Sequence, residues 1–247
     1  MKQLLITITL LSSFTVFAQP GKSLDDQVNY KKYDASIVDP EEGITLYEPL
    51  NISLGGDSVR YGLDDYACEG WVIDEYKDGS QLHKGFYIEG QLKVYKNFYP
   101  NGQVERDFKG VDLAKSSIKM YYEDGSLKSE GKYFRGDISY WVDYFKDGKV
   151  SYKEEYHKSM LYHMEISSYY DNGNLKTQML QTHKKKLTYT KDEYHINGQI
   201  SVDGQVFFNK SNHDYTPSGT WKYYDEKGKL TKEEKYSEGR VIDTKTY

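Results

Sequence analysis

The stretch Tyr121-Tyr122-Glu123-Asp124-Gly125-Ser126-Leu127 decides the fold, because its outline returns along most of the chain. Two adjacent bulky residues, usually aromatic, precede a turn, and one aliphatic residue follows. Further copies are Phe98-Tyr99-Pro100-Asn101-Gly102-Gln103-Val104, Tyr144-Phe145-Lys146-Asp147-Gly148-Lys149-Val150, Tyr169-Tyr170-Asp171-Asn172-Gly173-Asn174-Leu175 and Tyr194-His195-Ile196-Asn197-Gly198-Gln199-Ile200. The last, Tyr223-Tyr224-Asp225-Glu226-Lys227-Gly228-Lys229-Leu230, is one residue longer, and a looser copy surrounds Asp78-Gly79.

Gly79, Gly102, Gly125, Gly148, Gly173, Gly198 and Gly228 follow one another at 23, 23, 23, 25, 25 and 30 residues. Such a period marks a repeat architecture, in which each supersecondary unit leaves an apolar face for its neighbours to complete. Asn-Gly and Asp-Gly between strand-forming residues are hairpin signals, since a type I′ turn needs positive φ at both central positions. That turn at Asp124-Gly125 predicts Glu123 opposite Ser126 and Tyr122 opposite Leu127. The same register predicts Tyr99 opposite Val104, Phe145 opposite Val150, Tyr170 opposite Leu175 and His195 opposite Ile200. In the last copy a three-residue loop, Glu226-Lys227-Gly228, brings Tyr224 opposite Leu230.

Alternation then makes one stripe of Tyr122, Leu127 and Tyr133, with Tyr121 on the other face. In this register Trp221 shares a face with Tyr223 and Trp141 with Phe145, so the two tryptophans are not equivalent. The expected fold is all-β: an elongated single-layer antiparallel sheet of tandem β-hairpin repeats over residues 70–247. Fourteen strands at about 4.8 Å spacing make a ribbon roughly 65 Å long. Regular stacking is expected to falter between about residues 180 and 218, where the repeat loses its distal tyrosine and gains an insertion.

Ahead of the repeats, residues 19–69 read as a short irregular N-terminal region, polar and acidic at first. Between Ile44 and Gly56, Pro49 suits the first turn of a short helix and Gly55-Gly56 its end, and a strand over the same residues reads nearly as well. Ser58–Tyr61 and Trp71–Tyr76 read as strands. Residues 1–18 have the form of a secretory signal peptide: Met1-Lys2, an apolar run from Leu4 to Phe17, and Val16-Phe17-Ala18 before the cut. Export to the periplasm, the outer surface or the medium is the expectation.

Composition supports strands over helices. The chain has 26 Tyr, nine Phe and three Trp against only 37% hydrophobic residues in all, and aromatics favour strands. Its net charge of −5 leaves no broad basic surface for nucleic acid; Lys184-Lys185-Lys186 reads as a solvated loop or strand edge. The single Cys68 has no internal disulfide partner and reads as a small buried apolar residue.

The aromatic pair, the Asn/Asp-Gly turn, the aliphatic residue and a later Tyr-x-x-Gly resemble the MORN-repeat variant. They run from Gly219-Thr220-Trp221-Lys222-Tyr223-Tyr224 to Tyr236-Ser237-Glu238-Gly239. Over about residues 70–247 the chain is similar to the YwqK-type antitoxin-repeat family of bacteria. The resemblance implies hairpin units in a single elongated sheet and no catalytic residues shared by the repeats. It also associates the repeats with protein scaffolding and lipid surfaces.

Chemistry-bearing motifs are sparse. No phosphate-binding glycine loop or G-x-S-x-G is present, His157 and His163 lack metal-ligand spacing, and the Asx-Gly turns lack the further acids of calcium loops. No catalytic, cofactor or metal residues are assigned. The expected function is a non-enzymatic interaction or scaffold module, antitoxin- or immunity-like, that binds a protein partner through an aromatic-rich surface. Trp141, Tyr144, Tyr223, Trp221, Tyr121 and Tyr169 are the candidate binding residues, because Tyr and Trp are enriched at interfaces. The alternatives are a module binding a membrane surface or cell-wall glycan, and a hydrolase with its site near Cys68.

Overall fold

The computed structural model describes residues 32–38 and 43–247; the expected signal peptide lies outside the described residues. One sheet of sixteen strands contains every named strand, in sequence order. β1 (Lys32–Tyr33) is followed by β2 (Gly70–Tyr76), β3 (Gln81–Ile88), β4 (Gln91–Phe98), β5 (Val104–Gly110), β6 (Lys115–Tyr121) and β7 (Leu127–Phe134). The middle of the sheet holds β8 (Asp137–Tyr144), β9 (Val150–Tyr156), β10 (His163–Tyr169) and β11 (Leu175–His183). β12 (Thr188–Tyr194), β13 (Ile200–Asn209), β14 (Asp214–Tyr224), β15 (Leu230–Ser237) and β16 (Arg240–Thr246) complete it. β1 runs parallel to β2 and all other pairs are antiparallel. The fourteen predicted strands are β2–β15, with one further strand at each side.

The sheet runs unbroken through residues 180–218, where stacking was expected to falter. There β13 and β14 lengthen and take up the insertion, with a register shift between Asp203 and Gln205. Ser58–Tyr61 is not a strand: it makes an isolated bridge, Tyr61 to Ala67, and Arg60 N–H donates to Gly90 O at 3.0 Å. Of the helical and strand readings of Ile44–Gly56, the structure takes the helical one, as two 3-10 turns, Glu48–Leu50 and Ile52–Leu54. Pro49 stands at the start of the first, and Gly55 closes the second at φ 82°.

The register at the Asx-Gly turns corrects the sequence reading. Tyr121, not Tyr122, lies opposite Leu127, and likewise Phe98 faces Val104, Tyr144 faces Val150, Tyr169 faces Leu175 and Tyr194 faces Ile200. The loop has three residues, Glu123-Asp124-Gly125: Gly125 N–H donates to Tyr122 O and Tyr122 N–H to Ser126 O, each at 2.8 Å. Gly125 alone in that loop has positive φ, 84°, the pattern of a type I turn closed by a glycine bulge. The last copy has the loop predicted for it, with Tyr224 opposite Leu230. It is therefore no exception: Asp225 there occupies the place of Tyr122. Type I′ turns occur at the other end of the strands, at Glu89-Gly90, Arg135-Gly136 and Glu238-Gly239, where both residues have positive φ.

Two ladders tie successive Asx-Gly turns together. The ring at the Tyr122 position donates its hydroxyl to a carbonyl in the next unit: Tyr76 to Phe98, Tyr99 to Tyr121, Tyr122 to Tyr144 and Tyr170 to Tyr194, at 2.8–2.9 Å. His195 Nε2 continues the series 3.0 Å from Tyr224 O, whereas Phe145 has no hydroxyl to give. The Asx side chain also accepts locally, as Asp124 Oδ1 does from Ser126 N–H at 2.9 Å. Where it is Asn, its amide donates onward too: Asn101 to Glu123 O, Asn172 to Ile196 O and Asn197 to Glu226 O. Asp has no such donor, so residue choice at this position sets whether the second ladder is made.

Directly paired residues share a face, and following the pairs from strand to strand separates the two surfaces. One row runs Val72, Gly85, Tyr95, Phe108, Ile118, Gly131, Trp141, Glu154, Ile166, Met179, Lys191 and Gly204. Beside it, on the other face, a row of mostly charged and polar residues passes through Lys96, Asp107, Lys119, Glu130, Lys153, Asp192, Asp203, Lys222, Glu233 and Lys245. The first surface, called inner here, carries the buried clusters.

Candidate functional site

The N-terminal region packs across the inner face. Ile44 and Tyr47 join Val72, Tyr95, Phe108 and Ile118 in one buried cluster, with Leu50 and Leu54 against it. Beneath this strap is a polar network. Arg60 holds Asp74 through both guanidinium nitrogens, at 2.8 and 2.7 Å, and Tyr47 donates its hydroxyl to the same carboxylate at 2.8 Å. The Tyr47 ring stacks on His83 with centroids 3.7 Å apart. His83 is bonded on both nitrogens, to Asn97 at 2.7 Å and to the Tyr87 hydroxyl at 3.0 Å. Asp74, His83 and Asn97 are fully buried; desolvation pushes the His83 imidazole down to about 4. Arg106, buried one hairpin further on, contacts Glu48 of the strap and Glu105.

A second cluster lies at the far end. Met179, Leu187, Tyr189, Val206, Phe208 and Trp221 are buried, with Tyr162 and Tyr215 packed on them. The Tyr215 hydroxyl accepts from His163 N–H at 2.8 Å, fastening β14 over β10.

Between the two clusters is a stretch with little cover. Every residue of β9 is half-buried on both faces. The inner face of β8–β10 presents Trp141, Asp143, Tyr152, Glu154, Tyr156 and His163, all half-buried. Trp141 stands opposite Glu154 and Asp143 opposite Tyr152. Asp143 Oδ1 accepts from Ser129 Oγ at 2.6 Å and Trp141 Nε1 at 2.7 Å. Glu154 Oε2 accepts from the Tyr152 hydroxyl at 2.8 Å and lies 3.7 Å from His163 Nε2. The nearby His163 imidazole, and then the Tyr152 hydroxyl, hold the Glu154 carboxyl below its ordinary value, against the effect of desolvation. The Tyr156 ring lies 3.8 Å from that of His163. Each carboxylate thus has one oxygen fixed by neighbouring donors, with aromatic rings alongside.

The structure disperses the six residues proposed from sequence. Trp141 stands in this window. Trp221 is buried, 9% exposed, six strands away, with Nε1 bonded to Gln205 O at 3.1 Å. Tyr223 donates to Glu234 at 2.7 Å under Lys232, whose Nζ is 3.9 Å from the ring centroid. Tyr144 donates to Glu130 at 2.8 Å, on the charged face. Tyr121 and Tyr169 pair with Leu127 and Leu175 at the turns. The two tryptophans are equivalent after all, since Trp141 lies across Gly131 and Trp221 across Gly204. Bulges shift the alternation on which the sequence reading relied. Asp143, Tyr152, Glu154, Tyr156 and His163 were not anticipated; the clue was the two-residue spacing of Trp141 with Asp143 and Tyr152 with Glu154. Cys68 is buried, 2% exposed, in the first cluster.

These hairpins and their shared turn define a tandem β-hairpin repeat protein of single-sheet architecture. Residues 91–107, 117–134, 162–181 and 217–238 match the MORN repeat variant, and the chain carries MORN-variant repeats. The matched stretches center on the hairpins β4–β5, β6–β7, β10–β11 and β14–β15; the hairpins between them close on the same turn. No curated protein matches the chain in sequence. Among solved structures, the crystal structure of TarM is similar over 39% of this chain and 19% of that one, at 14% identity and TM-score 0.26. A mutant of S. aureus TarM in complex with Fondaparinux, alpha-GlcNAc-glycerol and UDP is similar over 35% and 17%, at 12% identity and TM-score 0.26. The chain therefore spans under a fifth of either neighbour's length, and likeness at that score carries no functional implication.

Proposed function

We propose that this protein is an exported, non-enzymatic binding module that engages a protein partner through the window at β8–β10, in an antitoxin- or immunity-like role outside the cytoplasm. The observation that carries the reading is the window itself: rings and oriented carboxylates on a half-buried part of the inner face, between two parts that are covered. Tyr and Trp provide contact area at low entropic cost, which suits the centre of an interface. Export rests on the apolar run Leu4–Phe17 and the residues before Gln19.

The test is co-purification from the native cell envelope, with mass spectrometry, for the parent and for Trp141→Ala/Tyr152→Ala. A stoichiometric protein recovered with the parent and lost with the variant, at unchanged circular dichroism, is expected. Retention on isolated peptidoglycan with no protein partner overturns the reading in favour of glycan.

A further inference from the structure

A cavity of about 580 Å³ opens where the loops after β5 and β9 meet the turn after β7. Its size lies within the roughly 300–1,000 Å³ of ordinary ligand sites. Val111, Tyr133, Phe134, Tyr156 and Met160 supply its apolar lining. Lys115, Lys132 and Lys158 also line it, all three exposed, and no carboxylate among the described residues does. Lys115 approaches Asp112 only at 3.7 Å across solvent-exposed side chains, and Lys132 lies over the Tyr140 ring at 5.2 Å. Exposed pairs at such distances are weak, so among the described residues Asp112, and Asp137 near Tyr156, offset this rim only in part. In a molecule of net charge −5 the rim is a local reversal of sign.

Apolar surface continues outside the cavity along the same loops. Val111 is 67% exposed, Leu113 fully exposed and Leu161 57% exposed. Bare leucine and valine around an apolar cavity form an exposed patch of the kind that marks interaction sites. A free small molecule seated in the cavity leaves these side chains in water, whereas a polypeptide laid across the loops covers them.

We infer that this cavity is a docking site for an acidic protein segment that inserts one apolar anchor side chain. The anchor fills the space between Tyr133, Phe134, Tyr156 and Met160, while carboxylates on either side of it meet Lys115, Lys132 and Lys158. The surface is separate from the β8–β10 window apart from the shared Tyr156, and it stands or falls independently of what that window binds.

The probe is a fluorescein-labelled peptide with one Phe flanked by glutamates, titrated with the full chain and followed by fluorescence anisotropy. Saturable binding is expected, weakened at least tenfold by Lys115→Glu/Lys132→Glu/Lys158→Glu and by exchanging the peptide's Phe for Gly. Raising the salt concentration is expected to weaken it further. The peptide exchange leaves the protein unaltered, so it reads the apolar contact even if the triple variant folds poorly. Absence of saturable binding, or equal affinity for the Gly peptide, overturns the inference, as does equal binding by a folded triple variant. Capture by phosphatidylglycerol vesicles without peptide binding overturns it in favour of a lipid surface.

Discussion

The Tyr99 hydroxyl donates to the Tyr121 carbonyl at 2.8 Å, joining turns that are 22 residues apart in sequence. The same bond recurs from Tyr76, Tyr122 and Tyr170, and the series is interrupted at Phe145. A hydroxyl added there would lie toward the Tyr169 carbonyl. Phe145→Tyr is expected to stabilise the protein by about 0.5–1.5 kcal/mol, and Tyr122→Phe to destabilise it by a similar amount. Urea denaturation of both variants checks the pair; a destabilised Phe145→Tyr means the ladder cannot close at this unit.

Gly131 and Gly204 are needed for what lies over them. A Cβ on Gly131 would collide with the Trp141 ring, and one on Gly204 would come within 2.7 Å of Trp221. Overpacking of this kind costs about 1–3 kcal/mol. Gly131→Ala and Gly204→Ala are expected to lower the melting temperature and to shift tryptophan emission. Gly110, whose added Cβ meets only Lys93 O at 3.7 Å, serves as a control that leaves emission unchanged as Gly110→Ala.

Arg60 makes the two-pronged ion pair between the strap and the sheet. Removing it takes away the guanidinium that pairs with the buried Asp74 carboxyl and leaves the Tyr47 hydroxyl bonded to it. Breaking a buried pair in this way costs about 3–5 kcal/mol. Arg60→Ala is therefore expected to free the strap, detected as protease cleavage within residues 43–69 before any cleavage in β8–β16. A variant whose strap stays protected would place the anchorage elsewhere.

His83 sets a pH dependence. Burial, as the largest effect, lowers its folded pKa to about 4 from 6.5, while the bond to Asn97 works the other way. Between those values the unfolded chain binds the extra proton, so stability falls as pH drops from about 6.5 toward 4. The loss reaches about 3 kcal/mol at 1.36 kcal/mol per pH unit. Buried Glu105 opposes this, since burial raises its carboxyl and protonation then favours the folded state. His83→Gln is expected to flatten the stability profile above pH 4.5; an unchanged slope assigns it to other groups.

The period of the glycines was enough to give the hairpins, their order and the single sheet, because a repeated turn fixes where each strand ends. The turn type was not readable from Asp124-Gly125 alone. Asx-Gly suits both a type I′ turn and a type I turn with a glycine bulge, and the ring of Tyr122, reaching along the sheet to Tyr144, accompanies the second. The bulge at each turn then moved Tyr121 opposite Leu127. The strap was invisible for a different reason: Ile44, Tyr47 and Arg60 have no period, and their partners His83 and Asp74 lie in strands where buried polar groups are not expected. Trp141 was picked out as an aromatic, but its setting depends on what covers strands on either side, which no local pattern encodes.

The strap also divides the molecule mechanically. Residues 44–60 touch strands from β2 to β5 at once, through Asp74, His83, Asn97 and Arg106, so those strands separate together or not at all. At the other side β16, exposed along its whole length, is held by β15 alone. Under tension along the ribbon, the chain would release β16 first, then meet the β10–β14 cluster that Tyr215 fastens to His163, and stall last at the strapped block.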